Sequence, residues 1–170
     1  VLNIDKFMKK LFSYSFSNKI NNKEHFSNSN SGLILHLKLD GNLEESSGNS
    51  DYNPYTAFKG NELKYSIGYN NTVKALEFNG TNDYIKINSF NPPSGNLSFT
   101  ISAWFNSDTH NQRAIVGWGG NTNNTSNVIR LLNHPANGVG LKHYFFNNDL
   151  NVITGDLSGK WNHVVVTYDG

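Results

Sequence analysis

The chain has no cysteine among its 170 residues. That excludes disulfide staples, thiolate zinc sites and cysteine nucleophiles, while leaving the compartment open. Charge is scarce too: Asp, Glu, Lys and Arg make up 16% of the residues and cancel to a net +1. A chain so close to neutral has no basic face by composition, which argues against nucleic acid as a partner. The one dense basic run, Lys6, Lys9 and Lys10, reads as a solvated or membrane-proximal tail rather than a phosphate site. Long apolar runs are also missing, and none approaches the roughly 20 residues needed to span a bilayer.

What is present is neutral and polar. Asparagine supplies 29 of the 170 residues, followed by 17 Ser, 15 Gly and 9 Thr. Apolar residues are only 36% of the chain, yet aromatics reach 13%, enough with the many Ile, Val and Leu to build a core and to argue against disorder throughout. Antiparallel strands that bury one face and solvate the other with Asn, Ser and Thr suit this composition.

Residues 1–31 read apart from the rest. Val1 to Ser17 mixes Lys with Leu, Phe and Tyr and is expected to be a flexible or short-helical tail, followed by an Asn/Ser/Lys-rich linker from Asn18 to Gly32. Met8-Lys9-Lys10 has the look of a natural start with a secretory signal. Leu11 to Phe16 is nevertheless too short and too polar for the apolar stretch such a signal needs, so a plain tail is the expectation. The folded domain is placed at 32–170. Alternating strands are predicted at Leu33–Leu39, Tyr65–Ile67, Val73–Phe78, Asp83–Asn88, Leu97–Phe105, Ala114–Trp118, Asn127–Leu132, Val139–Phe146, Leu150–Thr154 and Trp161–Tyr168. Asn79-Gly80-Thr81-Asn82 is expected to close a hairpin between the third and fourth of these. The strongest alternation puts Leu97, Phe99, Ile101, Ala103 and Phe105 on one face and Ser98, Thr100, Ser102 and Trp104 on the other. Many short strands with no helix after residue 32 argue an all-β sandwich or barrel.

Four patterns in order carry a resemblance. They are Leu35–Leu39 with Asp40-Gly41-Asn42, Glu45 and Ser46-Ser47-Gly48-Asn49; Ala75-Leu76-Glu77-Phe78-Asn79-Gly80-Thr81-Asn82-Asp83-Tyr84-Ile85; Phe99-Thr100-Ile101-Ser102-Ala103-Trp104; and Trp161-Asn162-His163-Val164-Val165-Val166-Thr167-Tyr168-Asp169-Gly170. Over about 33–170 the chain resembles the laminin-G-like domains of the concanavalin A-like lectin/glucanase superfamily. The resemblance implies a two-sheet antiparallel jelly-roll sandwich, one sheet convex and one concave. Members of that family continue past the fourth pattern with further strands, so the sequence is expected to be truncated at its C-terminal end. The sharper alternative is completion by a strand from another chain, with residues 1–17 a candidate donor.

The resemblance also directs attention to sites. Glucanase members carry catalytic carboxylates as Glu-x-Asp-x-x-Glu on one strand, since retaining hydrolysis needs two carboxyl groups roughly 5 Å apart. No such string occurs among Glu24, Glu44, Glu45, Glu62 and Glu77, and the chain is expected not to be an enzyme. Many relatives hold calcium, which takes oxygen ligands from carboxylates, Asn and carbonyls. The candidate ligands are Asp40, Asn42, Glu45 and Asp83, with turn chemistry as the competing role. Glu45 departs from the family's usual Asp by one methylene. Sugar recognition calls for an aromatic face beside amide groups. Trp118 with Asn121 fits, with His143 and Tyr144 as further candidates. Packing is the competing role for Trp118, and the one assigned to Trp104, Trp161 and His163, which match family positions. Sequons at Asn70, Asn79, Asn96, Asn123 and Asn124 arise readily by chance in so Asn-rich a chain. The expectation is a non-catalytic module on an extracellular, cell-surface or virion protein. Its partner would be a glycan or glycoprotein. The alternative is a protein–protein assembly module completed by strand donation.

Overall fold

The structure is a computed structural model. It describes residues 2–3, 10–18, 32–48, 64–71, 74–87, 91–120, 122–123 and 125–170, with only the backbone described at 2–3, 10–18 and 70. Twelve strands follow in chain order: β1 Leu2–Asn3, β2 Lys10–Asn18, β3 Leu33–Leu37, β4 Lys64–Ile67, β5 Lys74–Glu77, β6 Lys86–Ile87, β7 Phe99–Asn106, β8 Ala114–Gly119, β9 Ser126–His134, β10 Gly138–Tyr144, β11 Leu150–Ile153 and β12 Asn162–Tyr168. Among the described residues a single 3-10 turn, Tyr69–Asn71, follows β4. Two antiparallel sheets result. The first runs β11-β10-β9-β8-β1-β6; the second runs β12-β7-β2-β5-β4, with β3 also paired to β2. The all-β antiparallel sandwich expected from the alternation is what forms.

Strand β7 shows how sequence dictates this architecture. Its burial alternates along its whole length, with Phe99, Ile101, Ala103 and Phe105 buried and Thr100, Ser102 and Trp104 half-buried on the opposite face. A period of two is what a pleated strand requires when one side meets the core. β12 pairs with it in unbroken register from Asn162↔Phe105 to Tyr168↔Phe99, so Val164 and Val166 extend the same inner face. Across the gap, Ile115, Ile129 and Leu131 of the first sheet complete a single core with Leu35, Leu37 and Phe78. Burying each such side chain contributes on the order of 1.5–3 kcal/mol.

Two expectations are corrected. Lys10–Asn18 is a strand, not a helix, hydrogen-bonded between β7 and both β3 and β5. The Phe12-Ser13-Tyr14-Ser15-Phe16 run within it alternates apolar and polar with period two, after a register irregularity between Leu11 and Ser13, and that pattern sits on a strand rather than a helix. The segment around Asn79–Asn82 closes no hairpin either. β5 lies in the second sheet and β6 pairs with β1 in the first, so the chain crosses between sheets here. The crossing is tied by its own side chains: the Asn79 Oδ1 accepts the N–H groups of Thr81 and Asn82, and Asp83 Oδ2 accepts that of Asn79 at 2.8 Å. Ile85 and Ile87 do face the core as the alternation requires.

Candidate functional site

The four residues named for sugar binding do not form one site. Trp118 is 5% exposed, packs edge-on against Phe99 at 5.3 Å, and donates its Nε1–H to the Pro93 carbonyl at 3.0 Å. Its packing role is the one realised, and it offers no ring face to solvent. Asn121 lies outside the described residues. His143 and Tyr144 are consecutive on β10 and therefore project to opposite faces of the sheet. His143 points inward, edge-on to Phe99 and Phe145, with its Nε2 3.2 Å from Asn127 Oδ1. Burial holds its pKa below the ordinary histidine value, with Asp149 pulling weakly the other way. Tyr144 points outward beneath Arg130 and Lys142.

The four candidate calcium ligands are engaged or dispersed. Glu45 Oε1 accepts the backbone N–H of His36 at 2.8 Å and of Ser47 at 2.7 Å, fastening the turn to β3. Asn42 Oδ1 accepts the Glu44 N–H. Asp83 spends Oδ2 on Asn79, while its Oδ1 is buried without a partner. Asp40 is exposed. Among the described residues no three His, Asp or Glu side chains gather as a metal cage.

The constellation the structure does assemble is on the solvent face of the second sheet. Trp104, half-buried, lies against the Tyr69 ring at 4.0 Å and stacks on the His163 imidazole at 4.8 Å and 22°. His163 Nε2 is 2.8 Å from Ser102 Oγ, which fixes the imidazole over the sheet. Register places Thr167 beside Thr100 and Val165 beside Ser102, and Val165 is 52% exposed. On the other side of β7 the register sets Ser13, Ser15 and Ser17 of β2 alongside Trp104, Ser102 and Thr100. The face thus combines three rings with the hydroxyl-bearing Thr100, Ser102 and Thr167, and among the described side chains it carries no Asp, Glu, Lys or Arg in these rows. Such a surface can accept the C–H face of a neutral ring while exchanging hydrogen bonds with its hydroxyls.

The alternation of β7 already put Trp104 on the polar face, and that was the usable signal. Tyr69 could not be paired with it from sequence, because the contact depends on the 3-10 turn folding back from β4. His163, assigned to packing beside the core, is exposed and faces solvent.

A two-sheet antiparallel sandwich with an aromatic solvent face is the architecture of lectin-like binding modules. A family model for laminin G domains of the concanavalin A-like lectin/glucanases superfamily matches residues 79–170, and the chain belongs to that family. No curated protein and no solved structure matches it. Domains of this kind are generally binding modules of extracellular or surface-associated proteins. No helix among the described residues is long and apolar enough to cross a membrane, a finding that does not bear on strands.

Proposed function

We propose that the chain is a non-catalytic carbohydrate-binding module of a surface protein, extracellular or on a virion. The observation carrying this reading is Trp104, a large aromatic side chain held on the solvent face between Tyr69 and His163 rather than in the core. Retaining such a group outside the core forgoes burial worth a few kcal/mol, which is readily understood if a ligand covers it. A non-catalytic role is supported by Glu45, whose carboxylate is committed to two backbone N–H groups. Screening the protein against immobilised neutral oligosaccharides tests the proposal. Binding should be saturable and lost in Trp104→Ala; retention of full binding in that variant sinks it. Calcium is proposed as a structural ligand of the Asp40–Glu45 turn and Asp83, and it should then raise the melting temperature; an unchanged melting temperature overturns this.

A second reading, assembly with a protein partner by strand addition, has its own observation. Among the described residues the outer edge of β12 pairs with no strand. On the facing sheet, Leu150 and Val152 share the inner face with His143 and Leu141, yet are 58% and 45% exposed. An extended segment laid along β12 would satisfy its edge and cover both side chains. Concentration-dependent oligomers that dissociate when a charge replaces Val152 would favour this reading.

A further inference from the structure

The opposite solvent face, on the first sheet, holds a second constellation of different chemistry. Register places Ala114, Arg130, Lys142 and Asn151 in one rank across β8, β9, β10 and β11. The inward residues on either side, Ile129 and Leu131, are buried, so this rank faces out. Arg130 and Lys142 are thus directly opposed like charges, a cross-strand arrangement that is destabilising by itself. Lys142 is relieved by Asp149, with Nζ 2.7 Å from Oδ2. Among the described residues Arg130 makes no ion pair. Its guanidinium sits 4.8 Å from the centre of the Tyr144 ring, and its Nε–H is buried without an acceptor. Lys142 Nζ approaches the same ring at 5.4 Å. Two cations therefore share one aromatic ring, and of the two only Lys142 is bonded to the carboxylate of Asp149. A guanidinium held over a tyrosine ring has its position restricted and can present paired N–H donors to an oxyanion. Ala114, beside Arg130 in the rank, adds little bulk, and Asn151, beside Lys142, is exposed and brings an amide donor.

We propose that Arg130, Lys142 and Tyr144 form an anion-binding position that takes a carboxylate or sulfate group of a ligand. The position is separate from the Trp104 face and does not depend on it, since it uses charge where that face uses neutral rings. An oxyanion bridging the Arg130 guanidinium and Lys142 would offset the like-charge repulsion.

Titration at constant ionic strength tests this, with sodium sulfate, sodium glucuronate and glucose as probes and nuclear magnetic resonance of the Arg130 Nε–H and the Tyr144 ring protons as readout. Sulfate or glucuronate, or both, should shift these signals saturably, and glucose should not. Saturation by sulfate alone assigns a sulfate ester, and by glucuronate alone a carboxylate. In Arg130→Gln the affinity should fall about tenfold or more, in line with a charge-assisted hydrogen bond of roughly 1.5–3 kcal/mol. Arg130→Lys, which keeps the charge but not the fork, should lose part of it. Shifts that never saturate, or that persist unchanged in Tyr144 when Arg130 is Gln in a protein with a native-like spectrum, overturn the proposal.

Discussion

Trp104 and His163 stack in parallel on adjacent strands, β7 and β12, directly opposite one another in register, with centroids 4.8 Å apart. Aromatic pairs of this kind contribute roughly 0.5–1.5 kcal/mol beyond area burial. The pair is further steadied by Ser102, whose Oγ meets His163 Nε2. Because these residues lie outside the core, their removal is separable from folding. Trp104→Ala should reduce stability by about 1–2 kcal/mol, chiefly through the lost ring contacts, while abolishing oligosaccharide binding. Urea denaturation alongside the binding assay checks both parts. A variant that is unfolded would show Trp104 to be a core residue in all but position.

Trp118 makes the contrasting case. It is enclosed by Phe99 and bonded to the Pro93 carbonyl. Trp118→Ala should cost about 3–5 kcal/mol, the range for emptying an aromatic core position. For a domain of ordinary stability that is a large part of the total. The midpoint of urea unfolding gives the value directly, and a loss below about 1 kcal/mol would contradict its placement in the core.

His110 ties three segments together through one imidazole. Buried in the connection between β7 and β8, it meets the Gly140 carbonyl through Nε2 at 3.0 Å and accepts the Leu157 N–H at Nδ1 at 3.0 Å. It thereby anchors the connection between β11 and β12 to the middle of β10. A carbon chain in its place strands both a carbonyl and an N–H, and each unsatisfied buried group costs about 1–3 kcal/mol. His110→Leu should therefore destabilise the domain by a few kcal/mol and speed hydrogen exchange at Leu157 before any other amide of that connection. Unchanged protection at Leu157 would show that the imidazole does not hold it.

The fold was more legible than the site. The β7 alternation, with Phe99, Ile101, Ala103 and Phe105 on one side and Ser, Thr and Trp on the other, fixes a half-buried strand without help from its neighbours; Leu97, expected on the apolar side, precedes the strand and is 54% exposed. It also turns Trp104 outward. Local pattern could not say that Tyr69 and Arg130 matter, because each acquires its partner from a distant segment. The same limit applies to Asn79–Asn82. An Asn-Gly turn between two strands reads as a hairpin, and only tertiary packing decides that β5 and β6 enter different sheets. Trp118 shows the limit from the other side: at the end of a predicted strand it could serve as a sugar platform or pack, and β8 keeps Ile115, Val116, Gly117 and Trp118 all buried. At Gly117 an added Cβ would lie 2.7 Å from the Asn127 carbonyl oxygen, so backbone proximity, invisible in sequence, decides the environment.

The pH dependence of stability should fall in two stages on the acid side. Burial holds His143 below the ordinary value, Asp149 partly opposing it, and burial likewise lowers His36, aided by Lys38. A histidine with a depressed folded pKa binds fewer protons when folded than when unfolded, so stability drops as pH falls through the ordinary value of about 6.5 and on toward the folded value. Asp149 is partly buried, which raises its pKa, but its bonds from Lys142 and the Phe145 N–H outweigh this and hold it below the usual carboxylate range. Its contribution is complete above the ordinary value of about 4 and disappears as pH falls through the depressed one. Urea midpoints measured between pH 8 and pH 3 should thus be flat at first, decline from near neutrality, and decline again in the carboxylate range. His143→Gln, which keeps an amide near Asn127 but cannot titrate, should shrink the first decline to the share of His36 and leave the second in place. An increase in stability between pH 7 and pH 5 would mean that these imidazoles gain a partner on protonation rather than losing a buried, neutral place.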